Sequence, residues 1–145
     1  MTRANIPDPH NLVRFVAAQE SVYEIATAEL RVGKKTGHYM WFIFPQLHGL
    51  GFSETANYYS IMSLDEARHY IRHPILGTRL TECSKLVTGN TVPVDDIFGR
   101  LDALKFRSSM TLFECASEPG SVFTLALDTR CKGERDLKTL TLLEN

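Results

Sequence analysis

Apolar positions recur at helical spacing along most of the chain. Leu12, Val13, Phe15, Val16 and Ala17, then Val22, Ile25, Ala26, Ala28 and Leu30, follow one face of a 3.6-residue period, with an interruption near Ser21 and a stop at Gly33. In SLDEARHYIRH, Ser63 and Glu66 have capping-box spacing, so a helix is predicted from Leu64 until Pro74 interrupts it. A second helix follows over PILGTRLTECSKLV, with Ile75, Leu76, Leu80, Cys83 and Leu86 or Val87 on its inner side and Gly89 just beyond. From Pro93, PVDDIFGRLDALKFRSSMTLFECAS keeps helical spacing to Cys115 and ends at Pro119 and Gly120, with Asp95 and Asp96 suited to its amino end. Short helices are expected at 121–127 and 136–143.

One stretch resists this reading. GHYMWFIFPQLHGLG, residues 37–51, is apolar on both sides from Tyr39 to Phe44, so its period fits a buried strand and a buried helical turn equally. Pro45 biases Phe44 away from helix, and Gly49 and Gly51 mark a loop. The whole pattern predicts an all-α or mostly α fold: a compact single domain over residues 1–145, core about 9–143, built as a bundle of about six to eight short helices.

Composition narrows the function classes. Sixteen Lys and Arg against seventeen Asp and Glu give a net charge of -1, so no overall positive field exists to hold a nucleic acid. The local run Arg31, Lys34, Lys35 reads as a solvated loop. Three widely spaced cysteines, Cys83, Cys115 and Cys131, with no Cys-x-x-Cys pair, suit reduced thiols in a cytoplasm. The start of the chain lacks the apolar run of an export signal, so the protein is expected to be cytoplasmic and to use no membrane. No cofactor fingerprint is present: the glycines have neither Walker nor dinucleotide spacing. The sequence is silent on oligomeric state, with a monomer the default.

Two groups could carry chemistry. On a helical wheel of residues 101–117, Lys105, Ser109 and Asp102 fall within a broad arc that also holds Leu101, Leu112, Ala116, Phe113 and Phe106, opposite Met110, Ala103, Glu114, Arg107 and Thr111. Asp102 and Lys105 should therefore face inward and need each other or other partners. The arrangement reads either as an acid and a lysine with pKa values moved toward a catalytic range, with Ser109 as hydroxyl donor or nucleophile, or as a structural ion pair. In the second group, His38 and Gln46 flank Trp41, which resembles a wall that stacks a planar ligand and reads its polar edge. Core packing of Trp41 with capping by His38 and Gln46 is the alternative. His69 and His73 have the i, i+4 spacing of a metal clamp, but Pro74 puts His73 in the last turn and no third ligand is adjacent in sequence, so no metal is expected.

GHYMWFIFPQLHGLG, YYSIMSLDEARHYIRHPILGTRL, IFGRLDALKFRSSMTLF and KGERDLKTLTLL together resemble the small bacterial family known as domain of unknown function 1810, which includes a mycobacterial member. The likeness runs from about Pro9 to Leu143. It implies a compact, mostly α-helical single domain with no settled activity, substrate or cofactor. Positions matching the family's pattern are His38, Trp41, Phe44, Pro45, Gln46, His73, Pro74, Asp102, Lys105, Ser108, Ser109, Thr111, Phe113, Gly133, Asp136 and Thr139; Tyr39 departs from it, where relatives often carry a second Trp. Relatives are sometimes labelled calpastatin-like, which would mean an inhibitor disordered when free, whereas 43% hydrophobic residues at amphipathic spacing predict autonomous folding.

The leading expectation is a small polar or planar metabolite bound between the 38–46 stretch and the 101–113 helix, with Trp41, Gln46, His38 and Lys105 as ligand-binding residues. The catalytic candidates are Lys105, Asp102, Ser109 and His38, without an identified reaction. The rival is a non-catalytic protein–protein interaction module in which the Asp–Lys pair is structural.

Overall fold

The structure is a computed structural model and describes residues 7–144. Ten helices follow one another among them: α1 (Val13–Gln19), α2 (Tyr23–Val32), α3 (Met40–Ile43), α4 (Glu54–Tyr58), α5 (Leu64–Arg72), α6 (Leu76–Thr88), α7 (Val94–Phe98), α8 (Arg100–Cys115), α9 (Val122–Arg130) and α10 (Leu137–Leu143). An isolated parallel bridge between Leu47 and Ile61 is the sole β pairing among the described residues. The fold is mostly α, as the periodicity predicts, but has more helices than the expected six to eight.

Sequence punctuation explains most boundaries. Ser53, Ser63, Ser121 and Asp136 each accept a backbone N–H three residues on and so cap α4, α5, α9 and α10. The capping box at α5 is only half realised. Ser63 caps Glu66 as expected, but the Glu66 carboxylate turns to the Met62 N–H at 2.9 Å and to Arg14 at 3.0 Å. The break between α1 and α2 falls across Ser21, and Pro74 separates α5 from α6. That last turn is tight: a Cβ on Gly77 would lie 1.9 Å from the Ile71 carbonyl oxygen, so only glycine lets the two helices meet there.

Three expectations need correction. The helix expected over 93–115 is two, because Gly99 at φ 82° turns the chain between α7 and α8. Ile75 is exposed rather than inward, since it precedes the first turn of α6, while Leu76, Leu80, Cys83 and Val87 are buried. On α8 the wheel fails on both arcs. Leu101 is 74% exposed, whereas Ala103, Met110 and Thr111, assigned to the outer arc, are buried. The cause is position: α8 is the central element, packed against α3, α5, α7, α9 and α10, so its middle is enclosed all round and its first turn protrudes.

The undecided aromatic stretch is settled as the single turn α3. Met40, Ile43 and Phe44 share one face at i, i+3 and i+4 and are buried with Tyr39. Phe44 meets Phe106 and Phe98 edge-on at 5.1 and 5.8 Å, and Phe98 stacks on Phe106 at 5.2 Å. Such pairs contribute about 0.5–1.5 kcal/mol each beyond their buried area. Most of the stretch is therefore core, and Trp41 and Phe42 are the side chains this face leaves half-buried.

Candidate functional site

The same one-turn geometry that buries Met40 and Ile43 turns Trp41 toward α8. Asp102 and Lys105 lie three residues apart on α8 and so project from one side of it. Lys105 Nζ stands 5.2 Å from the Trp41 ring centroid and 3.2 Å from Asp102 Oδ1. The expected approach of the 38–46 segment to α8 is thus made by Trp41, Lys105 and Asp102.

A residue the sequence reading missed organises this site. Lys35, expected in a solvated loop, has a side chain only 6% exposed and pairs with Asp102 Oδ2 at 2.8 Å. Its ammonium also donates to the Gly37 carbonyl and lies 5.0 Å from the Tyr39 ring centroid. Glu29 holds the loop from the other side. Its carboxylate accepts from the Thr36 N–H (2.9 Å), the Thr36 hydroxyl (2.6 Å), the Gly37 N–H (3.1 Å) and the Tyr39 hydroxyl (2.6 Å). Residues 35–39 are therefore fixed between α2 and α8, which sets where Trp41 enters.

The electrostatics follow from these partners. Burial pushes the Asp102 carboxyl up, but hydrogen bonding and charge from Lys35, then Lys105, outweigh it and hold the pKa below the ordinary value. Asp102 is thus an anion at neutral pH and a poor proton donor. For Glu29, burial also acts upward, yet its four hydrogen bonds bring it down from 4.5 to about 2. Because the folded value lies below the unfolded one, this carboxylate's contribution to stability is full above about pH 4.5 and is lost as pH falls toward 2. Glu29→Gln is expected to cost about 1–2 kcal/mol at neutral pH and to flatten the acid limb of a stability-versus-pH curve from chemical denaturation. An unchanged acid limb would remove Glu29 from this role.

The other candidates are placed differently. Ser109 is fully buried, with no hydrogen-bond partner for its hydroxyl among the described residues, so it does not stand beside Lys105 at the surface. His38 is exposed. Gln46 is half-buried, and its backbone carbonyl accepts from the Ile61 N–H at 2.8 Å. His73 Nδ1 accepts from the Ile75 and Leu76 N–H groups at 3.1 and 3.2 Å, which caps α6. The neighbours of His69 are instead His10 and Asp65. His10 Nε2 and His69 Nδ1 lie 3.3 and 3.6 Å from Asp65 Oδ2, and these three side chains could together hold a divalent cation.

Several positions of the family pattern have structural tasks. Thr111 donates to the Arg107 carbonyl at 2.8 Å and accepts the Asp136 N–H at 3.0 Å, and Asp136 caps α10 through Thr139. Arg135 grips Glu114 through two nitrogens at 3.0 and 2.6 Å, and so ties the segment before α10 to α8. All three cysteines are free. No helix of the described residues is long and apolar enough to cross a membrane.

Comparison with known proteins agrees with this architecture. The family described as "Protein of unknown function (DUF1810)" matches residues 9–143. No curated protein matches the chain. A crystal structure of the conserved hypothetical protein Rv1873 from Mycobacterium tuberculosis is similar at 47% sequence identity and a TM-score of 0.93, covering 95% of this chain and 99% of that one.

Proposed function

This chain belongs to the DUF1810 family of proteins of unknown function, and we propose from its own geometry that it binds a small planar anion between the 38–46 segment and helix 101–113. One observation carries the reading: Lys105 remains 33% exposed above a half-buried indole, while its partner Asp102 is already paired with the buried Lys35. Two ammonium groups share one carboxylate, and among the described residues Lys105 hydrogen-bonds only Asp102, so its other N–H donors stand open beside an aromatic surface. Such a surface suits a ligand with a flat face for Trp41 and an acidic group for Lys105. His38 is exposed and lies three residues before Trp41 on the same segment. With Asp102 held as an anion and Ser109 enclosed, the arrangement supports binding rather than acid–base or nucleophilic catalysis.

The test is a titration of planar carboxylates, such as benzoate and nicotinate, and of nucleoside monophosphates into wild type, Lys105→Met and Trp41→Ala. Each variant is expected to weaken binding by about tenfold or more. Undiminished binding in either one breaks the proposed geometry.

A specific observation favours the second reading, a protein-interaction module. Phe52 is 81% exposed and Leu137 75% exposed, and Lys138 lies 5.7 Å from the Phe52 ring centroid, so the two apolar side chains come from neighbouring elements. Under that reading Lys105→Met lowers stability without changing any small-molecule response.

A further inference from the structure

The opposite side of α8 faces a groove of about 600 Å³ between the loop before α7, the first half of α8 and the end of α9. At about 100° per residue, Ala103, Leu104 and Arg107, which line it, lie roughly across the helix from Asp102 and Lys105. The groove is therefore separate from the Trp41 site. Its volume is in the usual range of small-molecule sites.

Its charge sets it apart from the rest of the protein. Arg100, Arg107, Arg130 and Lys132 line it against two acids, Asp95 and Glu134, in a chain whose net charge is -1. Arg100 and Lys132 are exposed and form no ion pair among the described residues. Arg107 approaches Glu134 only at 3.8 Å. Arg130 donates one terminal nitrogen to the Val92 carbonyl, which fixes the end of α9 against the opposite wall. The Nε of Arg107 and the Nε of Arg130 are both shielded from solvent and have no acceptor among the described residues. Those two atoms are sealed off, so the donors open to an external anion are those of the exposed Arg100 and Lys132 and of Arg107, whose side chain is 29% exposed. Lys132 is moreover held at φ 58°, a left-handed conformation that a non-glycine residue adopts at a cost, and this keeps it at the groove's edge. Apolar atoms of Pro93, Val94 and Leu104 complete the wall.

We propose that this groove binds a phosphorylated small molecule, its phosphate held by Arg100, Arg107, Arg130 and Lys132 and its organic part lying on the apolar wall. Guanidinium groups match phosphate oxygens two at a time, and a dianionic phosphate answers the excess of cations over acids along the groove. Glu134 competes with the ligand for Arg107. The apolar wall makes an ester a better ligand than free phosphate.

Isothermal titration with inorganic phosphate, a hexose phosphate, glycerol phosphate and the unphosphorylated hexose tests this. Wild type is expected to bind the phosphate esters more tightly than inorganic phosphate, to ignore the free sugar, and to bind more weakly as salt is raised. Arg107→Gln should weaken binding about tenfold or more, and Glu134→Gln should tighten it. Because Arg100 and Lys132 are exposed, the double variant Arg100→Gln, Lys132→Gln should fold normally and lose most of the affinity. Absence of phosphate binding by wild type, or unchanged affinity in that double variant, overturns the proposal. Lys105→Met should leave this binding intact, which separates the groove from the Trp41 site.

Discussion

Arg14→Leu is expected to destabilise the protein by about 3–5 kcal/mol, because it removes one half of a buried ion pair and leaves the other charge enclosed. The Glu66 side chain is 2% exposed and sits 3.0 Å from Arg14. Arg14 also donates to the carbonyls of His10, Asn11, Tyr58 and Ser60, so one guanidinium ties the entry of α1 to the α4–α5 loop. Loss of that group leaves several carbonyls without their donor as well as an unpaired carboxylate. Urea denaturation checks the figure. A cost under about 1 kcal/mol would mean that the pair behaves as an exposed one.

Lys35→Met comes next, at about 2–3 kcal/mol. Its ammonium is nearly enclosed and serves Asp102 and the Gly37 carbonyl together, but Lys105 remains to balance Asp102, so the loss is smaller than at Arg14. The variant also changes the pH response. Wild-type Asp102 titrates below its unfolded value, so it supports the fold above the ordinary carboxylate range and that support fades as pH falls. Without Lys35 the depression shrinks and the acid-side loss should flatten. Ligand affinity at Trp41 should fall too, since the 35–39 loop loses its tie to α8. A variant of full stability with normal binding would make Lys35 the solvated lysine that the sequence suggests.

That contrast shows what the sequence could and could not reveal. Helix ends were legible because their signals are local: Ser63, Pro74, Gly33 and Asp136 act within a turn of their own position. Lys35 was not, because three cations within five residues look like a solvated loop, and the partner that buries Lys35 lies 67 positions away. Asp102 and Lys105 were found because i, i+3 spacing places them together whatever surrounds the helix. Ser109 is inward, as its place on the wheel predicts, but it is enclosed more completely than one face would make it. A wheel assumes one buried face, whereas the middle of α8 is buried on all sides and its hydroxyl is sealed in rather than presented. His69 was matched with His73, its neighbour in sequence, when its neighbours in space are His10 and Asp65. For Arg14 and Glu66, an arginine at one helix start and a glutamate in the first turn of another give no sequence sign of pairing.

Trp41 is the protein's single tryptophan, so intrinsic fluorescence reports on the proposed site without a label. The most direct measurement is a fluorescence titration of wild type and Lys105→Met with planar carboxylates and nucleoside monophosphates, corrected for absorption by the ligands. A saturable change in wild type that is lost or shifted about tenfold or more in the folded Lys105→Met variant is the predicted result. No saturable change with any of these anions, or the same curve in both proteins, would contradict a planar-anion site at Trp41 and Lys105.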